Sequence, residues 1–286
     1  MRKNGFSSFI LLLVLLLGLS LLLYPTLSDY WNSMHQTRAI ATYAENVAVL
    51  DSDKYEHIWN DAKAYNQRIL QRENVYLLSE EETVEYHRQL NINGNGIMGY
   101  IDIPGINVML PLYHTVEESI LQTSIGHIEW TSLPTGGKST HTVFSGHRGL
   151  PSAKLFSDLD QLNSGDLFML RILDELMTYE VDQILVVEPH EVKPLQIEEG
   201  KDLCTLVTCT PYGVNSHRLL VRGHRVENPE EAATLRVVAD AYQIEPLVVA
   251  PVVAVPILLF ALWIMGFTNR LNRKKNRNGR QVDTYE

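Results

Sequence analysis

The chain has 286 residues, 45% of them hydrophobic, with 24 Lys+Arg against 34 Asp+Glu, enough for one or two domains. Its basic residues gather at the two ends, so residues 24–246 hold 16 Lys+Arg against 32 Asp+Glu, a balance of −16; this excludes a nucleic-acid-binding role, which needs a basic footprint. Cys204 and Cys209 are the only cysteines, which excludes a disulfide framework.

Residues 6–23 carry no charge and follow Arg2 and Lys3. A bilayer is crossed by roughly 20 apolar residues in a helix, so residues 1–27 are expected to be a transmembrane anchor. A cleaved signal peptide is the competing reading. It is disfavoured because Tyr24-Pro25-Thr26-Leu27-Ser28 lacks the small-x-small pattern. Residues 28–95 then read as a helical, membrane-proximal and lid-like region. Tyr55, Ile58, Trp59, Ala62, Tyr65, Asn66 and Ile69 recur at three and four residues, the spacing of one helix face. No proline interrupts residues 26–103.

From Gly96 the pattern changes to short strands. Strands are expected at 97–103 and 108–113, around the turn signal Pro104-Gly105. One or two helical turns fit 116–121, and residues 132–137 read as loop. Further strands are expected at 139–144, 167–172, 177–187, 203–208 and 218–226, with a short helix at 153–159. About eight strands with turn signals between them predict a mainly β fold: a closed eight-stranded barrel over residues 96–230. A linker at 231–246 leads to a second uncharged stretch, 247–267, which qualifies as a transmembrane helix despite Pro251 and Pro256. The tail, 268–286, carries Arg270, Arg273, Lys274, Lys275, Arg277 and Arg280. Basic flanks stay in the cytoplasm. The expected topology is therefore two-pass, with both termini cytoplasmic and the barrel extracellular.

The candidate chemistry centres on Leu206-Val207-Thr208-Cys209-Thr210-Pro211. Cys209 closes an apolar run, where a strand end can deliver a thiol to a cleft. Cys204, an odd number of residues away, points to the opposite face and reads as core. His147, between Gly146 and Gly149, is a plausible acid/base partner for a thiol. Of the other ectodomain histidines, which include His114, His141, His217 and His224, His127 is the main rival. Arg218 opens the following strand, from which a guanidinium can reach a developing oxyanion. Arg222 and Arg225 are its rivals, and only Arg222 shares its face. No CxxC, HExxH or EF-hand pattern is present, so no metal or cofactor is expected.

The stretches Thr205-Leu206-Val207-Thr208-Cys209-Thr210-Pro211-Tyr212-Gly213, Asn215-Ser216-His217-Arg218-Leu219 and Ser145-Gly146-His147-Arg148-Gly149-Leu150-Pro151 resemble the sortases, membrane-anchored cysteine transpeptidases of Gram-positive bacteria. Within that family the chain looks most like the class C, pilus-building branch, over residues 30–267; the second apolar stretch is typical of it. The resemblance implies an eight-stranded barrel with a Cys-His-Arg site, carried here onto Cys209, His147 and Arg218. We assign the flanking Thr208 and Thr210 to substrate binding. It also implies a Leu-Pro-x-Thr-Gly-like sorting signal as substrate, cleaved between Thr and Gly through a thioacyl-enzyme. In this branch the accepting amine is a lysine of another pilin, so the partners are pilins or surface proteins and the product is an isopeptide-linked polymer. The segment before the barrel lacks the Asp-Pro-aromatic motif with which this branch often plugs its site.

Three other readings compete. A sortase-anchored adhesin or pilin would carry Leu-Pro-x-Thr-Gly before its last span, where this chain has Tyr242-Gln243-Ile244-Glu245-Pro246-Leu247. A non-catalytic extracellular binding module would leave Cys209 idle. A sortase that anchors surface proteins to peptidoglycan would share the whole site and differ only in acceptor.

Overall fold

A computed structural model describes residues 3–72 and 76–229, together with the single positions 260, 264 and 266. The expected linker at 231–246 and basic tail at 268–286 lie outside these residues, as do all but three positions of the expected second span. Contacts divide the chain into two units, Met1–Leu27 with Ala241–Glu286, and Ser28–Asp240.

The first helix, α1, runs from Lys3 to Ala48 with Pro25 inside it, so the boundary expected near residue 27 is not a break in the backbone. A proline removes one backbone donor but leaves a long apolar helix viable. Among the described residues this is the one helix long and apolar enough to cross a membrane, with a mean hydropathy of 2.5 in its most apolar window.

Within the larger unit, the end of α1 buries Ile40, Tyr43 and Val47. Tyr43 donates to the Met98 carbonyl at 2.7 Å and accepts from Leu173 N–H at 2.8 Å. The second helix, α2 (Ser52–Ile69), starts because the Asp51 side chain accepts from Lys54 N–H at 2.7 Å. It buries Ala62, Tyr65, Asn66 and Ile69, the face the sequence spacing predicts. The acidic stretch that follows forms a third helix, α3 (Glu80–Arg88). A reciprocal capping box between Ser79 and Glu82 sets its start.

Eight strands close into a barrel: β1 (Ile97–Ile103), β2 (Val108–His114), β3 (Ile125–His127), β4 (Thr140–Ser145), β5 (Leu167–Ile172), β6 (Glu175–Val187), β7 (Asp202–Thr210) and β8 (His217–Val226). Their order around the barrel is β1-β2-β3-β4-β7-β8-β6-β5. The pairs β2/β3 and β4/β7 are parallel and the others antiparallel. The expected strands agree to within two residues at each end. The three-residue β3 was not expected, because so short a run carries no readable alternation.

The connection from β2 to β3 holds a four-residue helix, α4 (Glu118–Leu121). The helix expected at 153–159 is not formed. Leu155 adopts a φ of +40° there, and a single 3-10 turn, Leu159–Gln161, follows. The apolar residues that suggested a helix are still buried: Ala153, Leu155, Phe156 and Leu159 pack into the main core. They reach it along an irregular path.

Strand alternation separates two faces. Cys204 and Leu206 of β7 lie in the main core with Phe144, Phe168, Tyr179 and Val221. Val207 lies in a second apolar cluster with Val143, Leu220 and Leu195, bordered by Ile128, Trp130, Leu185 and Val187. With period two, Cys209 shares the Val207 face and Arg218 shares the Leu220 face. The candidate thiol is thus on the outside of the barrel, at the end of a small apolar floor.

Candidate active site

Cys209 sits one residue before the end of β7, and its partner across the β7–β8 ladder is Arg218. Facing residues of antiparallel strands put their side chains on the same side. Both are half-buried. The Arg218 guanidinium donates to the carbonyls of Asn215 at 3.3 Å and His217 at 3.1 Å. It makes no ion pair among the described residues, so its charge is not matched by a carboxylate.

His147 comes from the chain leaving β4, whose last paired residue, Ser145, faces Val207. Two bonds hold that exit against the end of β7. Gly146 N–H donates to the Val207 carbonyl at 3.0 Å, and the Thr208 hydroxyl donates to the Gly146 carbonyl at 2.8 Å. Gly146 must be glycine, because a Cβ there would come within 2.7 Å of Ile125 and 2.8 Å of Phe156. His147 therefore emerges beside the Cys209 end of β7. Its ring is partly exposed, and Nε2 lies 3.3 Å from Glu118 Oε2 at the start of α4. Thr208 is buried with its hydroxyl committed to Gly146, and Thr210 is half-buried at the strand end.

The rival residues are occupied elsewhere. His127 is fully buried, stacks on Tyr86, and bonds the Tyr86 hydroxyl at 2.9 Å and the Ser132 carbonyl at 2.9 Å. Burial holds its ring neutral, with its pKa lowered to about 3. His141 is held between the Gln196 carbonyl and Thr205 Oγ1, and His114 between the Gly96 and Gln89 carbonyls. Arg222 spans Asp182 at 2.9 Å and Glu198 at 2.7 Å. Arg225 lies over the Tyr179 ring and donates to the Leu176 carbonyl. Cys204 is fully buried, and desolvation pushes its thiol well above the ordinary cysteine pKa.

The structure adds residues that sequence reasoning left out. Glu118 reaches His147 from a connection with no motif of its own. Arg148 pairs with Asp160 and lies 5.8 Å from the centre of the Tyr212 ring. Tyr76, between α2 and α3, packs edge-on against Trp130 and accepts from Gln196 Nε2 at 2.7 Å. No periodicity could have found these contacts, since each joins two loops. No group of three or more metal-binding side chains occurs among the described residues.

A half-buried thiol, an unmatched guanidinium facing it and an imidazole on the adjoining strand exit are the parts needed for acyl transfer through a thioester. Comparison with known proteins identifies the family. The Sortase domain family matches residues 101–226. The crystal structure of sortase C1 from Streptococcus agalactiae is 55% identical, with a TM-score of 0.66, covering 67% of this chain and 100% of that one. Sortase C of Streptococcus pneumoniae is 42% identical, with a TM-score of 0.61, covering 67% of this chain and 97% of that one. Clostridium perfringens sortase C, determined with the C-terminal cell wall sorting motif, is 39% identical, with a TM-score of 0.60, covering 67% of this chain and 99% of that one.

Proposed function

We propose, from the premise that this chain belongs to the sortase family of cysteine transpeptidases, that it joins pilin subunits by cleaving a Leu-Pro-x-Thr-Gly-like sorting signal and passing the acyl group to a lysine. The observation that carries this reading is the register of β7 and β8, which pairs Cys209 with Arg218. The likeness to class C structures, one of them determined with a sorting motif, supports the substrate class.

In this reading the Cys209 thiolate attacks the carbonyl carbon of the signal threonine. The Arg218 guanidinium donates to the oxyanion that develops. As the Thr–Gly bond breaks, His147 gives its proton to the departing glycine amine, leaving a thioester on Cys209. A lysine amine then attacks the thioester carbon, and His147 takes its proton. The C–S bond breaks, an isopeptide bond remains and the thiolate is restored. The partly exposed residues that border the outer apolar cluster, Ile128, Trp130, Leu185 and Val187, receive the leucine and proline of the signal. Residues 1–27 anchor the enzyme, and residues 247–267 form the second span, which places the barrel outside the membrane and both termini in the cytoplasm.

Intact-mass measurement of the detergent-solubilised protein with a sorting-signal peptide tests the chemistry. Wild type should gain the mass of the acyl fragment and Cys209→Ala should not. Adding a lysine-bearing pilin should then discharge the thioester into a conjugate. A wild-type protein that never gains the acyl mass would favour the binding-module reading. Discharge onto a peptidoglycan amine in place of the pilin lysine would favour wall anchoring.

A further inference from the structure

We propose that Tyr212 is a positioning residue that fixes the loop carrying His147 to the turn leaving Cys209. The inference rests on the roles assigned above to Cys209 and His147.

Tyr212 lies three residues after Cys209 in a closed turn. Val214 N–H and Asn215 N–H both donate to the Pro211 carbonyl, at 3.1 and 2.9 Å. Its side chain is 63% exposed, so it is not a core residue. Its ring nevertheless covers the loop on the other side of the site. Gly149 has a φ of +77°, and a Cβ built on it would come within 2.9 Å of one Tyr212 ring carbon and 3.1 Å of another. That glycine is favoured by its backbone conformation, and the Tyr212 ring fills the space a side chain there would take. The Arg148 guanidinium approaches the same ring, a cation–π contact.

Arg148 is itself held from below. It pairs with Asp160, its side chain is only 9% exposed, and its Nε is buried without a hydrogen-bond partner. A charged group so desolvated, with one donor unmet, gains from the negative face of an aromatic ring. The rest of the His147 loop is fastened on the same side. Phe156 N–H donates to the His147 carbonyl at 3.2 Å, and Gly149 N–H donates to Ser157 Oγ at 3.1 Å. The loop after His147 is therefore anchored to residues 156–160, and the Tyr212 ring ties it across to the turn that follows the thiol. Catalytic groups on two different loops must keep a separation set to within a fraction of an ångström. Loss of such a tie slows chemistry without removing any reacting atom.

The test uses the full-length protein in detergent with a sorting-signal peptide, comparing wild type, Tyr212→Phe, Tyr212→Ala and Gly149→Ala. Thermal midpoints are measured for each, and Cys209→Ala and His147→Ala serve as controls. The Tyr212→Ala variant should lose kcat by roughly tenfold or more, with KM and the thermal midpoint near wild type. Tyr212→Phe keeps the ring and should restore kcat to within about twofold. Gly149→Ala displaces the ring and should lower kcat in the same way; if it does not fold, the Tyr212 pair decides. Wild-type kcat in Tyr212→Ala would overturn the inference. So would a loss confined to KM, which would make Tyr212 a substrate contact. Full activity in Cys209→Ala or His147→Ala would instead overturn the proposed function, whatever Tyr212 does.

Discussion

Cys209 and Arg218 face each other across the β7–β8 ladder, each one residue from the end of its strand. Arg222 lies four residues further along the same face, beyond Leu220, but is tied to Asp182 and Glu198. The two arginines should therefore respond differently to removal. Arg218→Ala should lower kcat by about 10²–10³-fold, the usual cost of losing an oxyanion donor, with little change in stability. Arg222→Ala leaves Asp182 without its ion-pair partner and Glu198 with Lys201 alone, and should cost about 1–2 kcal/mol of stability, while the folded fraction keeps its turnover. Paired denaturation and kinetic measurements decide; the reverse pattern would move the oxyanion role to Arg222.

The two thiols should separate in reactivity. Cys204 is fully buried and its thiol is pushed well above the ordinary range, while Cys209 is half-buried on the outer face. Alkylation of the native protein should stop at one adduct per chain, mapping to Cys209, and a second should require unfolding. Cys204→Ser buries a hydroxyl among apolar groups and should cost about 1–3 kcal/mol without abolishing turnover. Two adducts on the native protein would contradict the burial of Cys204.

Acid should weaken the fold through its buried histidines. His127 titrates near 6.5 when unperturbed and is lowered to about 3 by burial. The unfolded chain thus binds a proton between those values that the native state refuses. The stability from a neutral His127 is complete above about pH 6.5 and is lost as pH falls toward 3, at roughly 1.4 kcal/mol per pH unit. His114 and His141 are lowered by burial in the same direction. The denaturation midpoint should fall steeply below about pH 6, and His127→Gln should reduce that slope by about one proton. An unchanged slope in the variant would mean that His127 is not the group responsible.

Asn66 ties α2 to the loop between β3 and β4. Its Nδ2 donates to the Leu133 carbonyl at 3.0 Å and to Thr135 Oγ1 at 2.9 Å, and its Oδ1 accepts from Leu133 N–H at 2.7 Å. Asn66→Ala leaves the buried Leu133 N–H without its partner, while the Leu133 carbonyl keeps Thr135 N–H and the Thr135 hydroxyl keeps the Gly136 carbonyl, and should cost about 1–3 kcal/mol. Asn66→Asp aims a carboxylate oxygen at the Leu133 carbonyl in a buried site and should cost more than Asn66→Ala. Chemical denaturation of the three proteins checks the order.

Seven of the eight strands, the helix face of Tyr65 and Asn66, and the inside–outside division of Cys204 and Cys209 were legible in the sequence. Each follows from a period of two or of 3.6 acting over several residues. The strand β3 was not legible, because three residues hold no period. The irregular path through Leu155 was misread as a helix, because buried apolar spacing alone does not reveal a positive φ. Of the site, Cys209, His147 and Arg218 were visible as residue types at strand ends. Their neighbours Glu118, Arg148 and Tyr212 were not, since their contacts depend on loops that only the closed barrel brings together. Tyr76 belongs with them: a tyrosine in a polar stretch gives no sign that it will meet Trp130.

The strand order has one more consequence. β8, the last strand among the described residues, is inserted between β7 and β6. Until it arrives, β6 and β7 share no ladder and the barrel has a gap. As a ribosome delivers the chain from its N-terminus, every other strand is available before this one. The strand that carries Cys209 is thus made first, and the guanidinium that faces it comes on the strand that seals the barrel. A partly made or partly folded chain exposes a thiol but holds no assembled site. On the roles proposed here, closing the wall and completing the Cys209–Arg218 pair are a single event.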